Sequence, residues 1–211
     1  EHAAPRLLRP RERGIRYEVN EWNGSLVALT NAGGATDRQI LRLDPDLQPL
    51  QTLAAHRLGV PIIKMQPFAS TLVRLERVDG LHQLVLLQRD GAETTIRFDE
   101  PAYTLDLLPS QHWDASHVRV KHQTPAQPPR WLDIRLADGQ MTEMGRDTWS
   151  GLDTANYRIE RLQARAEDGQ SVPLTVLSRK DIDASPPQPL LLTGQGTYSI
   201  SHAATFALPG P

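Results

Sequence analysis

The sequence predicts a mainly β protein: a partial β-propeller of four-stranded antiparallel blades, followed by the first strands of a second domain. Three observations predict it. Short apolar runs recur at about ten-residue intervals with turn residues between them, the pattern of an antiparallel meander. Asn23-Gly24, Asp79-Gly80, Asp90-Gly91 and Asp138-Gly139 fall between such runs and supply the positive φ angles that tight hairpins require. Residues 14–44, 64–98 and 103–144 each hold three or four strands, a spacing of roughly 40 residues that suits propeller blades. Residue identities repeat only weakly between these units, which leaves a β-sandwich open.

In chain order, a polar segment at 1–13 precedes strands expected at 15–20, 25–31 and 39–43. The second unit has strands at 72–77, 81–88 and 94–98, and the third at 118–122, 130–135 and 140–144. Parallel sheets would need crossover helices, for which turns this dense leave no room. Blades are therefore assigned to 14–145. At 146–156 the chain becomes rich in Gly, Asp and Thr with one Trp, which reads as a linker. Two alternating strands follow at 157–166 and 172–178 around the Asp168-Gly169 turn, then a Pro-rich loop at 183–189 and a buried strand at 190–193. That strand runs into Gly194-Gln195-Gly196, the arrangement by which an α/β-hydrolase sheet presents backbone N–H groups to an oxyanion. Residues 157–211 are too few to close a sheet, so they are expected to open an α/β-hydrolase domain whose remainder lies outside this chain.

Composition narrows the function classes. With 211 residues, 39% hydrophobic and 23% charged, the chain can bury a core. Its 23 basic and 25 acidic residues are mixed along the chain to a net charge of -2, so nucleic acid and an anionic membrane are not expected partners. No run reaches the roughly 18 apolar residues of a membrane span. The Arg-bearing start lacks the apolar centre of a signal peptide and reads equally as a cut end. The absence of cysteine excludes disulfides, thiol nucleophiles and thiolate zinc sites, while leaving cytoplasm and periplasm both open.

Four segments, Thr30-Asn-Ala-Gly-Gly-Ala35, Phe98-Asp-Glu-Pro-Ala-Tyr-Thr-Leu105, Asn156-Tyr-Arg-Ile-Glu-Arg-Leu162 and Ala164 to Pro173, occur in an order and at separations hard to obtain by chance. They resemble the S9 prolyl oligopeptidases, most of all the oligopeptidase B (protease II) group, over nearly the whole chain. The resemblance implies a propeller that screens a serine-peptidase site, with a hydrolase domain beginning near Tyr157. It implies a short peptide substrate, the remaining blades and the rest of the hydrolase domain as partners, and no cofactor. The family's Ser, Asp and His triad would follow Pro211, so the chain alone is expected to be inactive.

Where the family has Tyr-Gly-Tyr-Gly, this chain has Thr193-Gly194-Gln195-Gly196. The resemblance gives the second tyrosine the role of oxyanion donor, and that position is Gln195. A glutamine amide can donate in its place, or the site has decayed; losing one such donor costs on the order of 100- to 1,000-fold in rate. Tyr198 matches a later aromatic of the motif and either faces the substrate or packs at the domain interface. Two acidic residues that favour a second basic substrate residue in oligopeptidase B correspond to Ala203 and Thr205, so a dibasic preference does not carry over. A catalytically decayed propeller-type binding or scaffold protein is the alternative reading.

The remaining candidates read as structural. His2, His56, His82, His112, His117, His122 and His202 show no paired ligand spacing, and no metal site is expected. Asp99 and Glu100 belong to the turn before Pro101 and are expected to hold it by side-chain to backbone bonds. Trp22, Trp113, Trp131 and Trp149 are too dispersed for a stacking platform and are expected to fill blade cores or the linker contact.

Overall fold

The Asx-Gly pairs that close two-residue hairpins carry the backbone such turns demand: φ is 52° and 72° at Asn23 and Gly24, and 50° and 77° at Asp79 and Gly80. These turns set the register, placing Trp22 opposite Ser25 and Val78 opposite Leu81. The computed structural model, which describes residues 4–149, 153–182, 187–194 and 203–206, contains three four-stranded antiparallel meanders. The first comprises β1 (Tyr17–Trp22), β2 (Ser25–Thr30), β3 (Gln39–Leu43) and β4 (Pro49–Ala54). The second comprises β5 (Ile62–Pro67), β6 (Thr71–Val78), β7 (Leu81–Gln88) and β8 (Glu93–Ile96). The third comprises β9 (Thr104–Leu107), β10 (His117–Thr124), β11 (Gln127–Arg135) and β12 (Met141–Arg146). A hairpin of β13 (Tyr157–Arg165) and β14 (Ser171–Arg179) follows. Two single-turn 3-10 segments, Ala32–Gly34 and Thr154–Asn156, are the only helical pieces among the described residues.

The three meanders pack face to face in sequence, as blades do. Strand β6 shows this through its period of two: Leu72 enters a core with Trp22, Val27, Leu29 and Ile40 of the first sheet. Its neighbours Val73 and Leu75 point the other way, into a core with Leu105, Val118, Val120 and Ile134 of the third sheet. A sheet buried on both faces excludes the two-sheet sandwich. Strands β4, β5 and β9 were not among the expected ones, and each is an edge strand of its sheet. An edge strand has a ladder on one side only, so it tolerates Pro49 at its start in β4 and needs only four residues in β9.

Two other expectations are corrected. Residues 190–193 form no strand, and Leu190, Leu191 and Leu192 are 79%, 86% and 77% exposed. A strand is stabilised by its ladder, and no described residue pairs with this segment. Of the segment from 157 onward, the described residues form the two-stranded β13–β14 sheet alone. Of the tryptophans, Trp22 fills the first core, but Trp113 and Trp149 are about half exposed and Trp131 is partly buried. At Trp113 the carbonyl does the anchoring, accepting from Ala69 N at 2.7 Å.

Meander topology puts one set of loops at a common end. The β2–β3, β6–β7 and β10–β11 turns, the linkers 55–61 and 97–103, and the chain leaving β12 all lie on this rim. Contacts between them tie it together, including Gly59 N to Asp37 Oδ2 at 2.7 Å and Tyr103 Oη to the His82 carbonyl at 2.7 Å.

Candidate functional site

Two of the motif segments singled out in the sequence, 30–35 and 98–105, converge on this rim together with the hairpin that carries the other two. In the first, Asn31 acts as a substitute strand partner: its Oδ1 accepts from Arg16 N at 2.7 Å and its Nδ2 donates to the Gly14 carbonyl at 2.8 Å. Gly33 and Gly34, at φ 69° and 79°, then turn the chain back towards β3, in a region that L side chains adopt poorly.

Between the first and second sheets the rim carries a buried charge network. Glu76 accepts from Arg74 Nε at 2.7 Å and from Gln83 Nε2 at 2.6 Å, and pairs with Arg57 from the linker. Burial pushes the Glu76 carboxyl up, but these donors outweigh it and hold the group below the usual carboxylate range. Arg74 also grips Glu93 through both terminal nitrogens, at 2.6 and 3.0 Å. Every charge here has an opposite partner, so the network ties three strands of the second sheet to the linker rather than awaiting a ligand.

The 98–105 segment builds an aromatic cage around His122. Phe98 and Tyr103 lie 4.4 and 5.5 Å from its ring, and the residue is 1% exposed. Its Nδ1 accepts from Arg130 Nε at 3.2 Å, while Arg130 Nη2 donates to Glu100 at 3.0 Å. Burial, aided by the Arg130 charge, pushes His122 down to about 4, against an opposing pull from Glu100. Glu100 thus holds its loop through the Arg130 side chain, not through the backbone bonds expected of it. His82, below the turn, accepts from Leu105 N at 2.9 Å, and burial lowers its pKa too. Burial therefore disfavours the charged form of both rings, His122 fully enclosed and His82 partly so.

The β13–β14 hairpin faces the rim. Arg161 Nη2 donates to the Asp79 carbonyl at 2.7 Å, and its Nη1 donates to Thr175 Oγ1 at 2.8 Å. Beside this contact lies an open cleft of about 440 Å³, with Asp37, Arg77 and Asp79 on the rim side and Gln163, Ser171 and Pro173 on the hairpin side. Farther along the rim, Phe206 N donates to Gln123 Oε1 at 3.2 Å, and its ring lies 6.1 Å from that of Trp149. Ala203 and Thr205 are exposed there and bring no carboxylate. Gln195 and Tyr198 lie outside the described residues. No group of three or more acidic or histidine side chains among the described residues could hold a metal ion. Likewise, no helix among them is long and apolar enough to cross a membrane.

Sequence reasoning missed Arg161 and the Glu76 network. Arg161 sits inside one of the quoted motifs, which was the available signal, but its partner is 82 residues away.

Residues 1–145 match the family described as prolyl oligopeptidase, N-terminal beta-propeller domain. The chain belongs to the prolyl oligopeptidase family. Among members of this serine peptidase family, it is similar to dipeptidyl aminopeptidase BI of Pseudoxanthomonas mexicana, at 27% identity over 96% of the chain and 28% of the relative. It is similar to protease 2 of Moraxella lacunata at 30% identity, over 95% of the chain and 29% of the relative. The solved oligopeptidase B of Leishmania major superposes with a TM-score of 0.87 at 31% identity, covering 95% of this chain and 30% of that one. The chain therefore spans less than a third of the prolyl oligopeptidase relatives it matches.

Proposed function

We propose that the chain is the later part of the propeller, joined to the first strands of the peptidase domain, of a serine oligopeptidase resembling oligopeptidase B. The boundaries are 1–13 for a leading segment, 14–145 for blades, 146–156 for a linker and 157–211 for the start of the hydrolase domain. Its parent hydrolyses short peptides after basic residues by acyl transfer through a serine nucleophile, behind a gating propeller. Gln195 stands as the oxyanion donor and Tyr198 as a substrate contact. The observation that carries this reading is the seating of the 157–179 hairpin on the same rim where the motif segments of the blades gather. That is where a peptidase domain would meet a screening propeller.

The chain itself contains no Gly-x-Ser-x-Gly segment, so it supplies walls and not a nucleophile. The test compares two proteins on an arginyl or lysyl fluorogenic tetrapeptide amide. The polypeptide that carries this chain in full should cleave it and lose that activity to a serine-directed phosphonate, whereas the 211-residue chain should not cleave it. Phosphonate-sensitive turnover by the short chain, or none by the long one, would overturn the proposal. Gln195 in place of tyrosine, together with Ala203 and Thr205, favours one second reading, a non-catalytic binding or scaffold protein. Peptide binding without cleavage by the long polypeptide would support it.

A further inference from the structure

We infer that Arg161 is a releasable pin, seated on the Asp79-Gly80 turn of the second sheet, by which the β13–β14 hairpin is held folded and held to the rim. The hairpin has no core of its own, since none of its residues is buried. A lone two-stranded hairpin is at best marginally stable in water, so its order in this chain must come from what it rests on. Among the described residues it rests on the Asp79-Gly80 turn, through a polar bond with Pro173 beside it. Arg161 spans both parts, with Nη1 on Thr175 of β14 and Nη2 on the Asp79 carbonyl of the blade.

The seat is shaped for this side chain. A Cβ at residue 80 would stand 2.5 Å from Arg161 Nη2 and 3.7 Å from Pro173 Cγ. Glycine therefore serves two purposes there: it adopts φ 77° in the turn, and it leaves the space the guanidinium occupies. The turn also leaves the Asp79 carbonyl free of the strand ladder and facing outward to accept. A charged donor on one carbonyl is strong enough to order the hairpin and weak enough to let go without unfolding either sheet. Release would widen the cleft between Asp79 on one side and Gln163 and Pro173 on the other. For a peptidase, and this consequence alone rests on the reading above, that makes the second blade a fastening point for the neighbouring domain.

Hydrogen–deuterium exchange on the full 211-residue chain tests the pin. Arg161→Ala should speed exchange of the amides in 157–165 and 171–179 by roughly tenfold or more, the effect of losing one charge-assisted bond. Protection in β2, β6 and β10 should be unchanged. Gly80→Ala attacks the same contact from the blade side but also strains the β6–β7 turn at φ 77°, so only its effect on the hairpin amides is read: it should free them, and in the Arg161→Ala background it should add nothing to their exchange. Unchanged hairpin protection in Arg161→Ala overturns the inference. So does loss of protection in the three sheets together with the hairpin, because the contact would then belong to the stability of the blades. The readout is exchange and not turnover, so it succeeds or fails independently of whether the parent cleaves peptides.

Discussion

Gln195 divides the enzyme reading from the binding reading. If it donates to the oxyanion in the active parent, Gln195→Tyr should raise kcat with little change in KM, because the added stabilisation exists mainly in the transition state. Gln195→Ala should lower kcat by roughly 10- to 100-fold. Equal turnover by all three forms on a basic tetrapeptide amide would show that this side chain does not face the oxyanion. A second single-residue effect belongs to His122, which Phe98, Tyr103, Glu100 and Arg130 surround. Its pKa in the fold, about 4, lies below its ordinary 6.5, so the native state favours the neutral ring. The sign follows: this contribution is complete above pH 6.5 and is lost as pH falls towards 4, by on the order of 2–3 kcal/mol. Urea midpoints of the native chain and of His122→Phe, measured between those limits, should converge as the solution is acidified. Parallel curves would remove His122 from the pH dependence.

Among the elements, every strand paired on both sides was legible, and the strands that were not are all edges. Strands β3 and β7, paired on both sides and bounded by turn residues, have the same limits in the sequence reading and in the fold. The unexpected strands β4, β5 and β9 are edges, where a partner strand imposes extension on residues whose own preference is weak. The converse error came at 190–193, where Leu-Leu-Leu-Thr has the composition of a buried strand and no neighbour to pair with. Local preference alone did not make it a strand. The β13–β14 hairpin was legible because its Asp168-Gly169 turn and alternation are local, but its seat on Asp79 was not, because that contact joins distant segments.

For the molecule as a whole, three blades form an arc, and its two end faces differ. The outer face of the first sheet has a groove of about 530 Å³ between Tyr17, Ala28, Leu41 and Leu43, partly covered by Leu8 and Pro10. The third sheet instead carries ion pairs, Arg119 with Asp133 and Arg135 with Asp138. An apolar face at one end of an arc of blades favours association. Light scattering of the purified 23.5 kDa chain should show a mass above that of the monomer, rising with concentration. A concentration-independent, well-folded monomer would show that the strap of residues 7–10 suffices to cover the face.

The sequence by itself determined the β class, the spacing of the blades, the hairpin turns and the family, because each depends on residues close together in the chain. Turn chemistry is set by two residues, and apolar alternation by a handful. The tertiary structure decided what the charged and polar residues do. Glu76, which no motif singles out, is a buried junction of three donors in the fold. Glu100 reads as a turn cap and is an ion-pair partner. Arg161 reads as one of 23 basic residues and is the tie between hairpin and blade. A polar side chain acquires its role from the partner that folding brings to it. The Glu76 donors lie within 20 residues but meet only once strands pair, and the partners of Glu100 and Arg161, 30 and 82 residues away, leave no local trace in the sequence.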